Sequence, residues 1–171
     1  HQGLGSVVQH QLTQAEVPLR VIPLGKAFGA SGAVVAGQGV WIDALVQSAR
    51  PQTYSTAMSP AIAYGLLETL EVLRDADERR TKLASLVDYF RAAVSQSPLK
   101  WRDSSSPIQQ LHLGCPRQAL QVADKLRTRS IICLPMRQPT VSKQETGLRI
   151  ILNYAHEPEQ IDGLFECLHQ R

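Results

Sequence analysis

From Ile108 to the end of the chain, the apolar residues switch repeatedly between strand and helix patterns, and no other feature restricts the fold as much. Ile108, Leu111 and Leu113 mark a strand over Ile108–Leu113. Ala119, Val122, Ala123 and Leu126 then recur at spacings of three and four, which predicts a helix over Pro116–Arg127. Further strands are predicted over Ile131–Met136 and Leu148–Leu152. A last helix spans Pro158–His169, with Ile161, Leu164, Phe165 and Leu168 on its core face. The order βαββα predicts a small α/β domain in which helices cover a sheet.

Two longer helical patterns precede this region. Pro60, at a position that favours proline, opens one whose apolar face is Leu66, Leu67, Leu70 and Leu73. After a polar break at Arg74–Arg80, Leu83, Leu86, Val87, Phe90 and Val94 mark the other. The first 57 residues differ. They read as a short helix over residues 6–16 capped by Ser6, a strand over Leu19–Leu24 and a buried strand over Ala33–Ala36. A helix over Gly39–Ala49 follows and stops before Arg50-Pro51. Two strands with their helices cannot bury both faces of a parallel sheet, so this stretch reads as the end of a larger domain. The expected division is 1–57 for that remnant and 58–171 for a linking helix with the small domain.

Composition removes several function classes. The 171 residues are 43% apolar and 19% charged, with a formal charge of +3, as expected of an ordinary globular chain. The basic residues form no stripe that would suit nucleic acid. No apolar run approaches a membrane span, and nothing at the start resembles a signal peptide. The histidines, His1, His10, His112, His156 and His169, form no metal motif. Cys115, Cys133 and Cys167 lack ligand spacing and read as small buried thiols in a reducing cytoplasm.

The chemistry is concentrated around Lys26, in Val21-Ile-Pro-Leu-Gly-Lys-Ala-Phe-Gly-Ala-Ser-Gly32. Two readings stand for this lysine. It is an exposed residue in a glycine-rich turn, or an amine held at a strand end to form a Schiff base with a carbonyl cofactor. Gly25, Gly29 and Gly32 suit a tight turn and close approach to a ligand. Downstream lie three more polar features: Tyr54-Ser55-Thr56, Arg137-Gln-Pro-Thr140, and Leu148-Arg149 followed by Ala155-His156. Hydroxyls and backbone N–H groups make good phosphate donors, and the arginine fork suits a carboxylate. An ordinary Ser/Thr turn and a strand-end surface arginine explain the same residues without any ligand.

In their order and separation these features resemble the pyridoxal-phosphate-dependent α-oxoamine synthases. The resemblance extends over nearly the whole chain and corresponds to the C-terminal part of a full-length enzyme. It implies a fold-type I transferase, represented here by the end of the large domain plus the small C-terminal α/β domain. It implies pyridoxal 5'-phosphate held by Lys26, with Lys26 also acting as the base that takes the α-proton of the amino-acid substrate. Ser55 and Thr56 match a segment that reaches the cofactor phosphate of a neighbouring subunit, which implies a homodimer with shared active sites. Thr140 matches a contact to the acyl substrate, assisted by Arg137, and Arg149 matches the grip on the amino-acid carboxylate. His156 is read as structural, and His1 inherits no role.

Within the group the likeness is strongest to the members of biotin biosynthesis, which condense L-alanine with a pimeloyl thioester carried on CoA or a carrier protein. The alternatives are a sister enzyme such as glycine C-acetyltransferase, or a non-catalytic α/β module. Gln138 replaces a proline of the group's Arg-Pro-Pro-Thr-Val, a mild change, and two other positions depart further from the pattern. Pro23 stands where the group has a cofactor-holding threonine, and Gly147 stands for the first arginine of Arg-Leu-Arg. The cofactor aspartate and the ring-stacking histidine of the group lie upstream of the matched stretch, so residues 1–171 alone are expected not to catalyse the reaction.

Overall fold

Phe90, Leu111, Leu126 and Leu148 are completely shielded from solvent, and around them the second half of the chain is built. A computed structural model describes residues 5–170. By its internal contacts the chain forms two compact units, His1–Asp77 and Glu78–Arg171.

The second unit is a three-stranded sheet backed by helices. Its elements are α4 (Asp77–Gln96), β3 (Ile108–His112), α5 (Pro116–Arg127), β4 (Leu134–Met136), a 3-10 turn (Lys143–Glu145), β5 (Gly147–Ile151) and α6 (Pro158–His169). The strand order is β3-β5-β4, with both neighbours antiparallel to β5. β3 and β4 therefore run parallel through the α5 crossover, and β5 fills the gap between them. Leu86, Val87 and Phe90 of α4, Ala123 and Leu126 of α5, and Ile161, Leu164 and Phe165 of α6 join Leu111, Leu148 and Ile150 in one core. Phe90 is at its centre, with ring centroids 5.3 Å from Trp101 and 5.1 Å from Phe165. Pro116 and Pro158 occupy the first turns of α5 and α6, where a missing N–H costs nothing. Glu157 and Gln160 close the start of α6 as a capping box.

The βαββα order and the helical faces follow the sequence reading, but several boundaries shift: β3 ends at His112 and not Leu113, and α4 begins at Asp77, inside the expected polar break. The strand expected over Ile131–Met136 begins only at Leu134. Ser130 takes φ +61° and the Ile131 N–H is donated back to the Leu126 carbonyl, so these residues finish α5 and do not join the ladder. The last strand is Gly147–Ile151, one residue earlier than Leu148–Leu152.

The first unit corrects more. It contains α1 (Ser6–Gln9), β1 (Leu19–Pro23), β2 (Ala33–Gly37), α2 (Gly39–Ser48) and α3 (Pro60–Arg74). The helix expected over residues 6–16 ends after one turn. Gln11 takes φ +54°, and Glu16 accepts hydrogen bonds from the N–H and hydroxyl of Thr13, which favours a turn. Ser6 lies inside α1, and Gly5 is its N-cap. The buried strand expected over Ala33–Ala36 is fully exposed β2. It pairs antiparallel with β1 as a hairpin, because the chain folds straight back through residues 24–32. On α3, Leu66 and Leu73 are half-buried while Leu67 and Leu70 face solvent. No helix of the described residues is long and apolar enough to cross a membrane.

The thiols also divide. Cys133 and Cys167 are buried, as expected, whereas Cys115 is exposed at the start of α5. The N–H groups of Gln118 and Arg117 beside its sulfur hold its pKa below the ordinary thiol value, and burial raises that of Cys133 to about 11. The thiolate is the reactive form, so iodoacetamide at neutral pH should alkylate Cys115 first. Cys133 and Cys167 should react only on denaturation. Equal labelling of all three in the folded protein, read by peptide mass, would contradict this burial pattern.

Candidate functional site

The hairpin loop between β1 and β2 exposes Lys26. Hydrogen bonds from Leu24 N–H to the Gly32 carbonyl and from Ala30 N–H to the Leu24 carbonyl, both 3.0 Å, close its neck. Gly29 N–H donates to the carbonyl of Lys26 itself at 3.0 Å. Gly29 and Gly32 take φ +61° and +92°, a region that β-carbons disfavour. A Cβ on Gly32 would also stand 2.7 Å from Met58 Cε. Gly25 needs no such freedom, since its φ is ordinary and a Cβ there would meet only the Ala30 carbonyl at 3.8 Å. The loop's glycines thus do two separate jobs. Gly29 turns the chain, and Gly32 also admits the segment that carries Met58.

That same segment includes the hydroxyl residues. Tyr54 has φ +61° and is wholly exposed, with Ser55 and Thr56 exposed beyond it. Ser55 Oγ donates to the Pro51 carbonyl and Ser55 N–H to the Gln52 carbonyl, so this hydroxyl is tied into its own turn. Thr56 is the freer of the two. The Gly32–Met58 approach therefore brings the Lys26 loop beside the stretch that begins at Ser55 and Thr56, all within the first unit.

Arg137, Thr140 and Arg149 belong to the second unit. Arg137 and Thr140 form one exposed turn directly after β4, in which the Thr140 N–H donates to the Arg137 carbonyl at 3.0 Å. The Gln138–Pro139 peptide in this turn is cis. Arg149 stands on the central strand between Gln110 of β3 and Leu134 of β4. It is half-buried, and its Nε is shielded from solvent without a hydrogen-bond partner among the described residues. A buried guanidinium N–H without an acceptor is costly, so its arrangement suits an anionic group brought from outside. His156 locks a turn, with Nδ1 accepting the Asn153 N–H at 3.0 Å. His1 lies outside the described residues.

The alternation Ile108-Gln-Gln-Leu-His112 held a further signal that apolar counting missed. It places Ile108, Gln110 and His112 on one face of β3 and Gln109 and Leu111 on the other. Gln109 is buried, with its amide donating to the Ser106 carbonyl at 2.7 Å. On the other face, Gln110 donates to the Glu145 carbonyl at 2.8 Å. Around it, Glu145 and Arg102 lie 3.5 Å apart. The Ser142 hydroxyl and N–H hold the Glu145 carboxyl below its usual range, with Arg102 and His112 adding to the effect.

Comparison with known proteins gives a consistent picture. The family model for aminotransferase class I and II matches residues 7–168. The 8-amino-7-oxononanoate synthase of Pseudomonas paraeruginosa (strain DSM 24068 / PA7) is 43% identical over 165 residues, which is 96% of this chain and 41% of the relative. The enzyme of the same description from Thioalkalivibrio sulfidiphilus (strain HL-EbGR7) is 40% identical over 166 residues, covering 97% and 42%. This chain therefore spans about two-fifths of the length of the curated relatives it matches. Among solved structures, 8-amino-7-oxononanoate synthase from Francisella tularensis superposes with a TM-score of 0.86 at 29% identity, covering 98% of this chain and 49% of that one. Sphingomonas wittichii serine palmitoyltransferase superposes at 0.84 with 18% identity, covering 98% and 42%, a likeness of fold alone.

Proposed function

This chain belongs to the aminotransferase class I and II family, and we propose that it supplies the cofactor lysine and the substrate-binding small domain of an 8-amino-7-oxononanoate synthase. The reaction joins the α-carbon of L-alanine to the acyl carbon of a pimeloyl thioester. The thiol leaves, and the alanine carboxylate departs as carbon dioxide. Residues 1–57 are assigned in this reading to the large domain, and 58–171 to the linking helix and small domain.

The observation that carries the reading is Arg149, whose shielded Nε has no acceptor among the described residues. An amino-acid carboxylate provides one, and the planar guanidinium suits two carboxylate oxygens. The Lys26 loop fits pyridoxal phosphate in a complementary way. Lys26 is solvent-accessible, and its loop is shaped by Gly29 and Gly32. When bound, that cofactor supplies the electron sink for a negative charge at the α-carbon. Lys26 Nζ would hold the cofactor and, when its amine is free, would take the α-proton of alanine and return a proton to the product carbon. Ser55 and Thr56 lie on the segment that would reach the phosphate across a homodimer interface, with Thr56 as the available hydroxyl because that of Ser55 is held by the Pro51 carbonyl, and Thr140 with Arg137 would receive the acyl chain. Pro23 has neither hydroxyl nor N–H, so it would donate no hydrogen bond to the cofactor.

Borohydride reduction of the protein after mixing with pyridoxal phosphate, followed by peptide mapping, tests this role. The pyridoxyl group is expected on Lys26 in preference to Lys82, Lys100, Lys125 and Lys143. The Lys26→Ala variant should lose that preferential adduct and, in the complete enzyme, turnover of L-alanine with pimeloyl thioester. An adduct spread evenly over the lysines would overturn the proposal.

A further inference from the structure

Among the described residues, Arg149 Nε and His112 Nε2 are both shielded from solvent and both without a hydrogen-bond partner. Buried polar atoms are nearly always paired, so two on one sheet face call for a common account. The register supplies it. Gln110 faces Arg149 and His112 faces Gly147, so His112 and Arg149 are diagonal neighbours on adjacent antiparallel strands. Such residues share a face, with Cα atoms roughly 7–8 Å apart. Leu111 and Leu148, on the opposite face, are sealed in the helix-covered core. Both nitrogens thus leave the sheet on the side away from those helices.

Nearby acceptors are committed elsewhere. The Gln110 amide donates to the Glu145 carbonyl, and its side-chain oxygen lies 3.5 Å from Arg102 Nη1. The Glu145 carboxylate accepts from the Ser142 hydroxyl at 2.9 Å and pairs with Arg102. Gly147 contributes no side chain at the level of His112, and a Cβ there would overlap the Leu111 carbonyl oxygen. The position that carries the first arginine of the Arg-Leu-Arg pattern is therefore bare, and the polar side chain beside it comes from the facing strand.

We infer that His112 is a second donor to the carboxylate received by Arg149, so that the amino-acid substrate is held by an arginine from β5 and an imidazole N–H from β3. The inference rests on the reading of Arg149 given above. The ligand class is a small α-amino acid, and the two donors lie on one rigid sheet.

Titration of the protein with L-alanine, followed by the NMR signals of Arg149 Nε–H and the His112 ring, tests it. Both signals should move along one binding curve, and L-alaninamide, which lacks the carboxylate, should move neither. His112→Leu should weaken alanine binding about tenfold, the usual consequence of losing a hydrogen bond to a charged group. His112→Gln, which keeps an N–H donor, should recover most of that loss. If Arg149 responds while the His112 ring does not, and His112→Leu binds alanine as the parent does, the role of His112 is overturned and that of Arg149 stands. If neither signal moves, both readings fail.

Discussion

Phe90→Ala is expected to cost the second unit about 3–5 kcal/mol, the range for removing a buried aromatic ring from a packed core. Phe90 is fully buried and touches the aromatic side chains of two other segments. Trp101 meets it edge-on, with the rings at 84°, and Phe165 of α6 is tilted against it at 60°. Trp101 and Phe165 also lie 5.4 Å apart, so the three rings close on one another. Deleting the ring of α4 removes its own burial and also leaves the other two facing a void that neither can fill without moving its backbone. Tyr89, next in sequence, is a useful comparison. It is 41% exposed, and its hydroxyl donates to Asp162 at 2.8 Å, so Tyr89→Phe should cost within about 1 kcal/mol. Urea unfolding monitored by Trp101 fluorescence separates the two. A Phe90→Ala midpoint close to that of the parent would mean the aromatic cluster is not the centre of this core.

Much of this architecture was legible because strong amphipathic periodicity determines which residues are buried. Ala119, Ala123 and Leu126, or Ile161, Leu164 and Phe165, can be buried together only on one helix face. The two-stranded hairpin was not legible, since Ala33-Val-Val-Ala36 has the composition of a buried strand yet is exposed. Composition records what a strand tolerates on its faces, while exposure depends on what covers it. Cys115 was misjudged for a related reason. Cysteine is usually buried, but this one precedes Pro116 at a helix start, where the chain must be at the surface. For the candidate site, the residue types were readable and their surroundings were not. Nothing in Leu148-Arg149 signals that Nε is shielded and unpaired. His112 escaped because its significance comes from a register between strands more than thirty residues apart in sequence, His112 with Gly147.

That register leads to the other large effect. Restoring the arginine of the Arg-Leu-Arg pattern, Gly147→Arg, should destabilise the second unit by about 3 kcal/mol or more, the upper range of overpacking penalties, although it makes the sequence more like the pattern. The obstacle is space and not backbone conformation, because the φ of Gly147 lies outside the left-handed region. A Cβ would overlap the Leu111 carbonyl oxygen, lie 2.9 Å from its carbon and stand 3.1 Å from the Leu113 nitrogen. These neighbours are backbone atoms of β3 and the residue just beyond it, so they cannot turn aside as a side chain would. Relief requires β3 to separate from β5, which opens the face where Leu111 meets Leu148. Gly147→Ala should therefore cost nearly as much as Gly147→Arg. Gly163, in α6, is the opposite case, with nothing within 4 Å of its Cβ position, and Gly163→Ala should stabilise by up to about 1 kcal/mol through helix propensity. Urea midpoints for the three variants decide the matter. If Gly147→Arg unfolds at or above the midpoint of the parent, β3 does not approach β5 this closely, and the placement of His112 beside a bare strand position fails with it.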